Sequence, residues 1–521
     1  MAVKINFNEA AAQTHTALVR NERAMNKSLL RLSTGMRILN AADDSAGTFI
    51  ADMLSTVAKA YEQGNRNIQT GFSALQIAEA SAGQIFDKLQ EIYVRAQNAA
   101  NDINDPNARA ALQREITNFV DAIQKIGTDT EYNGIKLLDG SFQGKYIHYG
   151  PRSEQTVTLS ISSLKSSDIG ANMVRGGTVE SRNAVSNTSA YTALITGDWQ
   201  FDPASDTALQ LAGVNLTNDL ATYYYKKTGS QTGAVDAKAL ADVINSNSVL
   251  QGLGISAYAR NKSVASAEWQ NITSLNVSSI NIFVGPSTTS AAVTINVQPG
   301  QTWDLDSIIT EINVQAKSNN TSLRAYKEGN RLVLETNGET IGVQVQTPAN
   351  GSVNLAQFLD LTGESNTTVS STAAATGSAV VVGQLTIAGS NAFGYNFTGI
   401  SSTNAGLGIA TSGNSTFRNL YSINVTTNEG AEVAMIVAEK ALQKVDTVRA
   451  QIGATMNNLQ SIFDSQKVAY DNTKEAESVI RNTDYAKEMA DFTTYQIRMQ
   501  ATVAMLAQAN TLPQLVLQLM R

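Results

Sequence analysis

The sequence predicts an α+β chain. Its two ends form one discontinuous helical coiled-coil bundle with a β-hairpin, and its middle is an inserted β-rich region containing two small α+β repeats. Three observations carry this. Residues from about 6 to 130 and from about 428 to 510 read as helix almost without interruption. The middle is rich in Ser, Thr, Asn and Gly and alternates apolar with polar residues, as half-buried strands do. Within it, one short pattern occurs twice at matched spacing.

The longest helix carries the clearest seam: Leu54, Val57, Tyr61, Gly64, Ile68, Gly71, Leu75, Ala78, Ala82, Ile85, Leu89, Ile92, Ala96 and Ala99. Steps of three and four alternate throughout, which is the heptad seam of a coiled coil; an ordinary core stripe of a bundle is the plainer reading. Gly64, Gly71, Ala78 and Ala82 are small enough to admit a partner helix closely. Asn104-Asp105-Pro106 breaks the helix and restarts it, with Asp105 as cap and Pro106 as first helical residue. Leu112, Ile116, Phe119, Ile123 and Ile126 then continue the apolar face, and the short turn implies antiparallel neighbours. The turn-rich run Tyr132 to Gly140 leads into a hairpin region reaching about residue 180.

The opposite end supplies matching stripes. Thr426 with Glu429 has the form of a capping box, and Leu442, Val445, Ile452, Met456, Leu459 and Phe463 follow at heptad-like steps. A last helix with Phe492, Tyr495, Met499, Val503 and Leu506 is expected to end near Leu512-Pro513. The first residues carry Leu18, Met25, Leu29, Leu32 and Met36. Each extremity has one narrow apolar face and little else to bury. Short isolated helices are marginal, so both ends are expected to order only on assembly.

In the middle, Ala239-Leu240-Ala241-Asp242-Val243-Ile244-Asn245 precedes Ala257-Tyr258, and Ser307-Ile308-Ile309-Thr310-Glu311-Ile312-Asn313 precedes Ala325-Tyr326. The distance from Ile-Asn to Ala-Tyr is the same in both. Residues from about 361 to 415 read as strands and loops.

Composition narrows the function classes. At 521 residues, two to four domains fit. The net charge of −7 and the lack of a Lys/Arg stripe argue against nucleic acid. The absence of cysteine excludes disulfides and thiolate metal sites. No apolar run spans a membrane. The first residues lack a secretory signal, so export by a dedicated apparatus, or none, is expected. His15 and His148 have no partner at metal-ligand spacing. Gly252-Leu253-Gly254 and Gly406-Leu407-Gly408 lack the third glycine of a dinucleotide loop. Asp43-Asp44 reads as a helix start rather than a catalytic pair. Sequons such as Asn271-Ile272-Thr273 matter only on a eukaryotic secretory route. No enzyme and no cofactor are expected.

The stretch Ser33-Thr34-Gly35-Met36-Arg37-Ile38-Leu39-Asn40-Ala41-Ala42-Asp43-Asp44-Ser45-Ala46-Gly47 resembles the N-terminal signature of bacterial flagellins. Asn133 to Leu138 resembles the turn after the family's second helix. Asp484-Tyr485-Ala486, Leu506 to Gln514 and the ending Leu519-Met520-Arg521 resemble its C-terminus. The resemblance covers about 180 N-terminal and about 105 C-terminal residues.

It implies an inner terminal helical domain of residues 1–42 plus 482–521, a helical bundle with hairpin of 43–180 plus 415–481, and variable outer domains of 181–414 with repeats at about 205–262 and 275–347. It implies a secreted subunit that polymerises with itself in the extracellular filament used for swimming. The polymerisation interface is then Leu18, Met25, Leu29, Leu32, Met36, Leu54, Val57, Ile68, Leu75, Leu89, Leu442, Ile452, Leu459, Phe492, Met499, Val503 and Leu506. Type III export, a chaperone on the C-terminal segment, and filament cap and hook-junction proteins are the implied partners. A hook–filament junction protein and a filament-displayed glycan-binding adhesin are the alternatives; the ending and the two repeats favour flagellin.

One departure concerns flagellins sensed by a vertebrate innate immune receptor, which carry Leu-Gln-Arg-Val-Arg-Glu-Leu. Here the run is Leu89-Gln90-Glu91-Ile92-Tyr93-Val94-Arg95. Glu91 stands where the family has its arginine and Arg95 where it has its leucine, while Glu115 is retained. Weak recognition is expected.

Overall fold

The computed structural model describes residues 7–101, 103–177, 180–186, 190–400 and 406–519. Ten α-helices occur among them: α1 (Glu9–Thr34), α2 (Ser45–Ala99), α3 (Pro106–Asp129), α4 (Tyr191–Leu194), α5 (Thr217–Thr228), α6 (Ala237–Ser246), α7 (Ser248–Gly252), α8 (Leu305–Ser318), α9 (Asn428–Arg481) and α10 (Tyr485–Leu519). None is long and apolar enough to cross a membrane among the described residues. The chain divides into two compact units. One holds residues 1–79, 142–161 and 451–521; the other holds 80–141 and 162–450.

In the first unit, Asn8 caps α1 by accepting from the Ala11 N–H, and Gly35 ends it at φ 70°, where a glycine is favoured. Asp44 opens α2 by accepting from the Gly47 N–H at 2.9 Å. Asp43 instead accepts from the Leu39 N–H and pairs with Lys27 at 2.7 Å, which holds its carboxyl below the usual range. The strands Lys145–His148 and Thr156–Leu159 form an antiparallel hairpin. This hairpin lies on α2 at two glycines. A Cβ on Gly64 would sit 1.8 Å from the Tyr149 carbonyl oxygen, and one on Gly71 would sit 2.0 Å from Ile147 Cδ1. The small residues at 64 and 71 therefore admit the hairpin, and at Gly64 the helix α9 also comes close, its Gln466 side-chain oxygen lying 3.1 Å from the same Cβ position.

In the second unit, Asp105 caps α3 by accepting from Ala108, with Pro106 as the first helical residue. The turn Asn133-Gly134 takes φ of 50° and 76° between Glu131–Tyr132 and Ile135–Lys136, the geometry of a two-residue hairpin turn. The expected capping box at α9 does not form. Thr427 accepts from the Gly430 N–H at 3.0 Å, while the Thr426 hydroxyl donates to Asn424 and Glu429 pairs with Arg175. The cap lies one residue later because Asn424 already holds Thr426 in a local turn.

Two large antiparallel sheets dominate the middle, with a four-stranded sheet and three two-stranded ones beside them among the described residues. The larger runs Arg324–Glu328, Arg331–Thr336, Ile255–Val264, Gln384–Gly389, Gly170–Arg175 and Thr416–Asn419 in spatial order. The second runs Val293–Asn296, Ser279–Val284, Ile341–Thr347, Ala375–Val382 and Glu180–Ser186. Two apolar cores fill the region. One gathers Phe201, Tyr224, Leu240, Ile244 and Phe397; the other gathers Ile308, Ile312, Leu332, Val343 and Phe358.

The duplicated motif has a common mechanism. Asn245 Nδ2 donates to Ala257 O at 2.7 Å, and Asn245 Oδ1 accepts from Ala257 N at 2.8 Å. Asn313 does the same with Ala325 at 2.8 and 2.9 Å. The amide side chain imitates a neighbouring peptide and clamps the first strand after the helix. The preceding Ile244 and Ile312 anchor each helix in its core. Each Asn→Ala substitution is expected to cost about 2 kcal/mol by stranding two backbone groups. Tryptophan fluorescence melts separate the copies: Trp199 lies in the first core and Trp269 in the second. Asn245→Ala should lower the first transition and Asn313→Ala the second.

Asp236 caps α6 from a fully buried position, accepting from Lys238 N at 3.1 Å. Burial, then the Glu339 carboxylate, pushes its carboxyl up to about 8. A carboxyl raised on folding binds its proton more tightly in the folded state. Its stabilisation is full below the ordinary carboxylate range and is lost as pH rises through about 8. Melting of the first core should therefore fall between pH 4 and pH 9. Asn in place of Asp236 keeps an acceptor without the charge and should flatten that fall, raising the pH 9 midpoint by on the order of 5 °C.

Candidate assembly interface

α1 and α10 pair antiparallel through polar as well as apolar contacts. Asn8 Nδ2 donates to Ala509 O at 2.8 Å, Asn21 Nδ2 to Thr502 Oγ1 at 2.9 Å, and Ser28 Oγ to Glu488 O at 3.3 Å. The Tyr485 hydroxyl donates to Leu32 O. Beyond Gly35, its carbonyl accepts from Thr483 N, and Met36 forms a β-bridge with Asn482. Arg31 faces Glu488 at 3.7 Å.

From Tyr485 to Thr511 the seam on α10 is one residue wide: Glu488, Phe492, Tyr495, Met499, Thr502, Leu506 and Ala509 are its covered positions in steps of four and three. Its counterpart on α1 runs Ala11, Thr14, Leu18, Asn21, Met25, Ser28 and Leu32. Of the expected residues, Leu32 is buried, and Leu18, Met25, Met36, Phe492, Met499 and Leu506 are half-buried. Leu29 and Val503 are exposed, at 52% and 51%. Ser28 and Thr502 take the seam positions beside them. Unbroken counting in threes and fours finds both polar residues, Ser28 from Leu18 on α1 and Thr502 from Phe492 on α10.

α2 follows its expected seam closely. Gly64 and every later seam residue through Ala99 is buried, including Ile68, Leu75 and Leu89, while Leu54 and Val57 are half-buried. On α9, Ile452 and Leu459 are buried and Leu442 is half-buried.

The apolar residues left over are informative. Besides Leu29 and Val503, Leu30, Phe49, Met53, Met489, Ile497 and Met505 stand between 48% and 68% exposed. A narrow seam satisfies one face of each helix and leaves these on the others. Where exposed large apolar residues gather into a patch, they mark protein–protein contact.

The expected end of the last helix near Leu512-Pro513 is incorrect: α10 continues to Leu519. Proline removes one helical donor, and the Asn8 amide donates from outside to the carbonyl concerned, Ala509 O.

In the second unit, a cleft of about 570 Å³ is lined by Arg175, Tyr258, Arg260, Glu335, Glu432 and Glu439 among others. Several of its charges are paired within the chain. Arg260 pairs with Glu432 at 2.9 Å and Glu335 at 3.6 Å, Arg175 with Glu429, and the Tyr258 hydroxyl donates to Glu439 at 2.8 Å. Lys440, fully buried and with its ammonium pushed down by burial, donates to Gly254 O at 3.1 Å. This is a polar joint holding the large sheet to α9. Among the described residues, no group of three His, Cys, Asp or Glu could hold a metal.

Glu91, Arg95 and Glu115 come together. Arg95 Nε donates to Glu115 at 2.6 Å and its other nitrogen lies 3.4 Å from Glu91. His15 and His148 are both exposed, the latter at the end of a strand, beside the turn that follows it.

Comparison with known proteins agrees with this arrangement. The bacterial flagellin N-terminal helical region matches residues 5–143, and the bacterial flagellin C-terminal helical region matches 435–520. The chain is 49% identical to flagellins of Aquifex pyrophilus and Aquifex aeolicus, over the whole of this chain and of each relative. It is 28% identical to flagellin A of Helicobacter pylori, again with both chains fully covered.

Proposed function

The chain belongs to the bacterial flagellin family and is a structural subunit of the flagellar filament, and from that premise we propose how its own residues build the polymer. The α1–α10 seam joins the two termini within a subunit, and the apolar residues off that seam join neighbouring subunits. The observation that carries this is the exposed apolar surface left on two helices that are paired along one face only. Both helices order fully only when neighbours cover that surface.

The outer region, about 181–414, projects as variable domains. Flagellins form the extracellular filament; delivery of this subunit unfolded through type III export, guarded by a chaperone on its C-terminal segment and added beneath a cap, fits ends that bury so little alone. Electron microscopy of the purified protein at high concentration tests the reading. Helical filaments are expected, and a protein that stays monomeric at every concentration contradicts it.

The receptor departure follows from charge. Arg95 is held by Glu115 and Glu91, so the retained glutamate is already paired and the site's central charge is reversed. Weak signalling by the purified monomer in receptor-bearing reporter cells is expected. Restoring Glu91→Arg with Arg95→Leu should raise potency by roughly 100-fold. Full-strength signalling by the unaltered protein removes the argument.

A further inference from the structure

Asn8 does two things with one amide. Its Oδ1 accepts from Ala11 N at 3.0 Å and caps α1. Its Nδ2 donates to Ala509 O at 2.8 Å. In a helix that carbonyl receives its bond from the residue four places on. Here that residue is Pro513, which has no N–H to give. Ala509 is also a seam residue of α10, only 6% exposed, so water does not readily replace the missing donor.

We infer that Asn8 is a positioning residue for filament assembly: its side-chain amide replaces the helical donor that Pro513 removes, and so locks the start of α1 to the proline step of α10. The consequence is directional. Neither half of the clamp is complete until both termini are present. The Asn8 side chain is oriented by the first turn of α1, and the Ala509 carbonyl is presented by α10 where its own ladder is interrupted. Ordering of either helix end then favours ordering of the other, and the register between them is fixed at one residue. Asn21 to Thr502 and Ser28 to Glu488 hold the same register further along, but neither of those acceptors faces a proline four residues on.

The test uses the full chain and measures the critical concentration for filament growth from seeds by sedimentation. Asn8→Asp keeps the capping oxygen, and a negative charge at a helix start is favourable, but it cannot donate. It should raise the critical concentration on the order of 5- to 100-fold, as expected for a buried acceptor left unpaired. Asn8→Ser, which caps without reaching Ala509, should act in the same direction and serves if the aspartate variant is poorly produced. Pro513→Ala restores the helical donor. In that background, Asn8→Asp should have lost its effect, remaining within about two-fold of the single Pro513→Ala variant.

A full Asn8→Asp defect that persists beside Pro513→Ala overturns the inference, because it assigns Asn8 to capping or general packing. No defect in Asn8→Asp and Asn8→Ser overturns it equally. The inference rests on α1 pairing with α10, so Ser28→Arg is run alongside. If Ser28→Arg leaves growth intact, the pairing itself is wrong. If it stops growth while the Asn8 variants grow normally, only the role of Asn8 is lost.

Discussion

Deleting residues 482–521 is expected to abolish filament growth at every concentration while leaving the outer region folded. The deletion removes α10 and with it every partner of the α1 seam. What remains of α1 is a 26-residue helix with a half-polar face and nothing to cover it, and helices in proteins draw most of their stability from such packing. The three tryptophans, Trp199, Trp269 and Trp303, all lie in the middle of the chain. Their fluorescence melt should be unchanged, which separates lost assembly from lost folding. Sedimentation and negative-stain microscopy of the truncated protein read the outcome, and filaments of normal form would remove the termini from the mechanism.

The second large effect is expected at Gly64. Alanine is the better helix former by about 1 kcal/mol, so in an open helix the substitution stabilises. Here the new methyl would lie 1.8 Å from the Tyr149 carbonyl oxygen, a backbone atom that moves only if the hairpin moves. Overpacking against a fixed neighbour costs several kcal/mol, so the clash wins and the hairpin of residues 145–159 should lift from α2. Gly71→Ala is the internal control. Its obstacle is Ile147 Cδ1, the far end of a flexible side chain that a rotamer change can withdraw. The net effect there should be within about 1 kcal/mol of zero. Hydrogen exchange of the hairpin amides, with thermal melts by circular dichroism, distinguishes the two. Equal behaviour of both variants would mean that the hairpin yields as easily as a side chain.

The contrast between helices shows what was legible in the sequence and why. The α2 seam could be read directly from Gly64 onward because every seam position is apolar or small and the alternation of threes and fours is unbroken. The α1–α10 seam uses the same spacing, but Asn21, Ser28 and Thr502 occupy it, so a reading by apolarity slid onto Leu29 and Val503. Those two residues still report something, because their exposure is what the proposed contact between copies would cover. The Ile-Asn duplication was visible as spacing. Its reason was not, since a side-chain amide closing two bonds on a backbone twelve residues away leaves no periodic trace. Pro513 misled for a related reason. Proline stops a helix when its orphaned carbonyl finds no other donor, and the donor here is contributed from the other end of the chain. The cleft beside α9 likewise has no linear signature. Its arginines and glutamates come from strands and a helix far apart in the chain.

Hydrogen exchange of free subunit against filament tests the central claim most directly. The amides of α1 and α10, residues 9–34 and 485–519, should exchange rapidly in the free subunit and slow by roughly 100-fold or more in the filament, where neighbouring copies cover the exposed apolar residues. The α2 amides from Gly64 to Ala99 should be protected in both. Equal protection of α1 and α10 in the two states would contradict the account, because the termini would then be complete before any neighbour arrives.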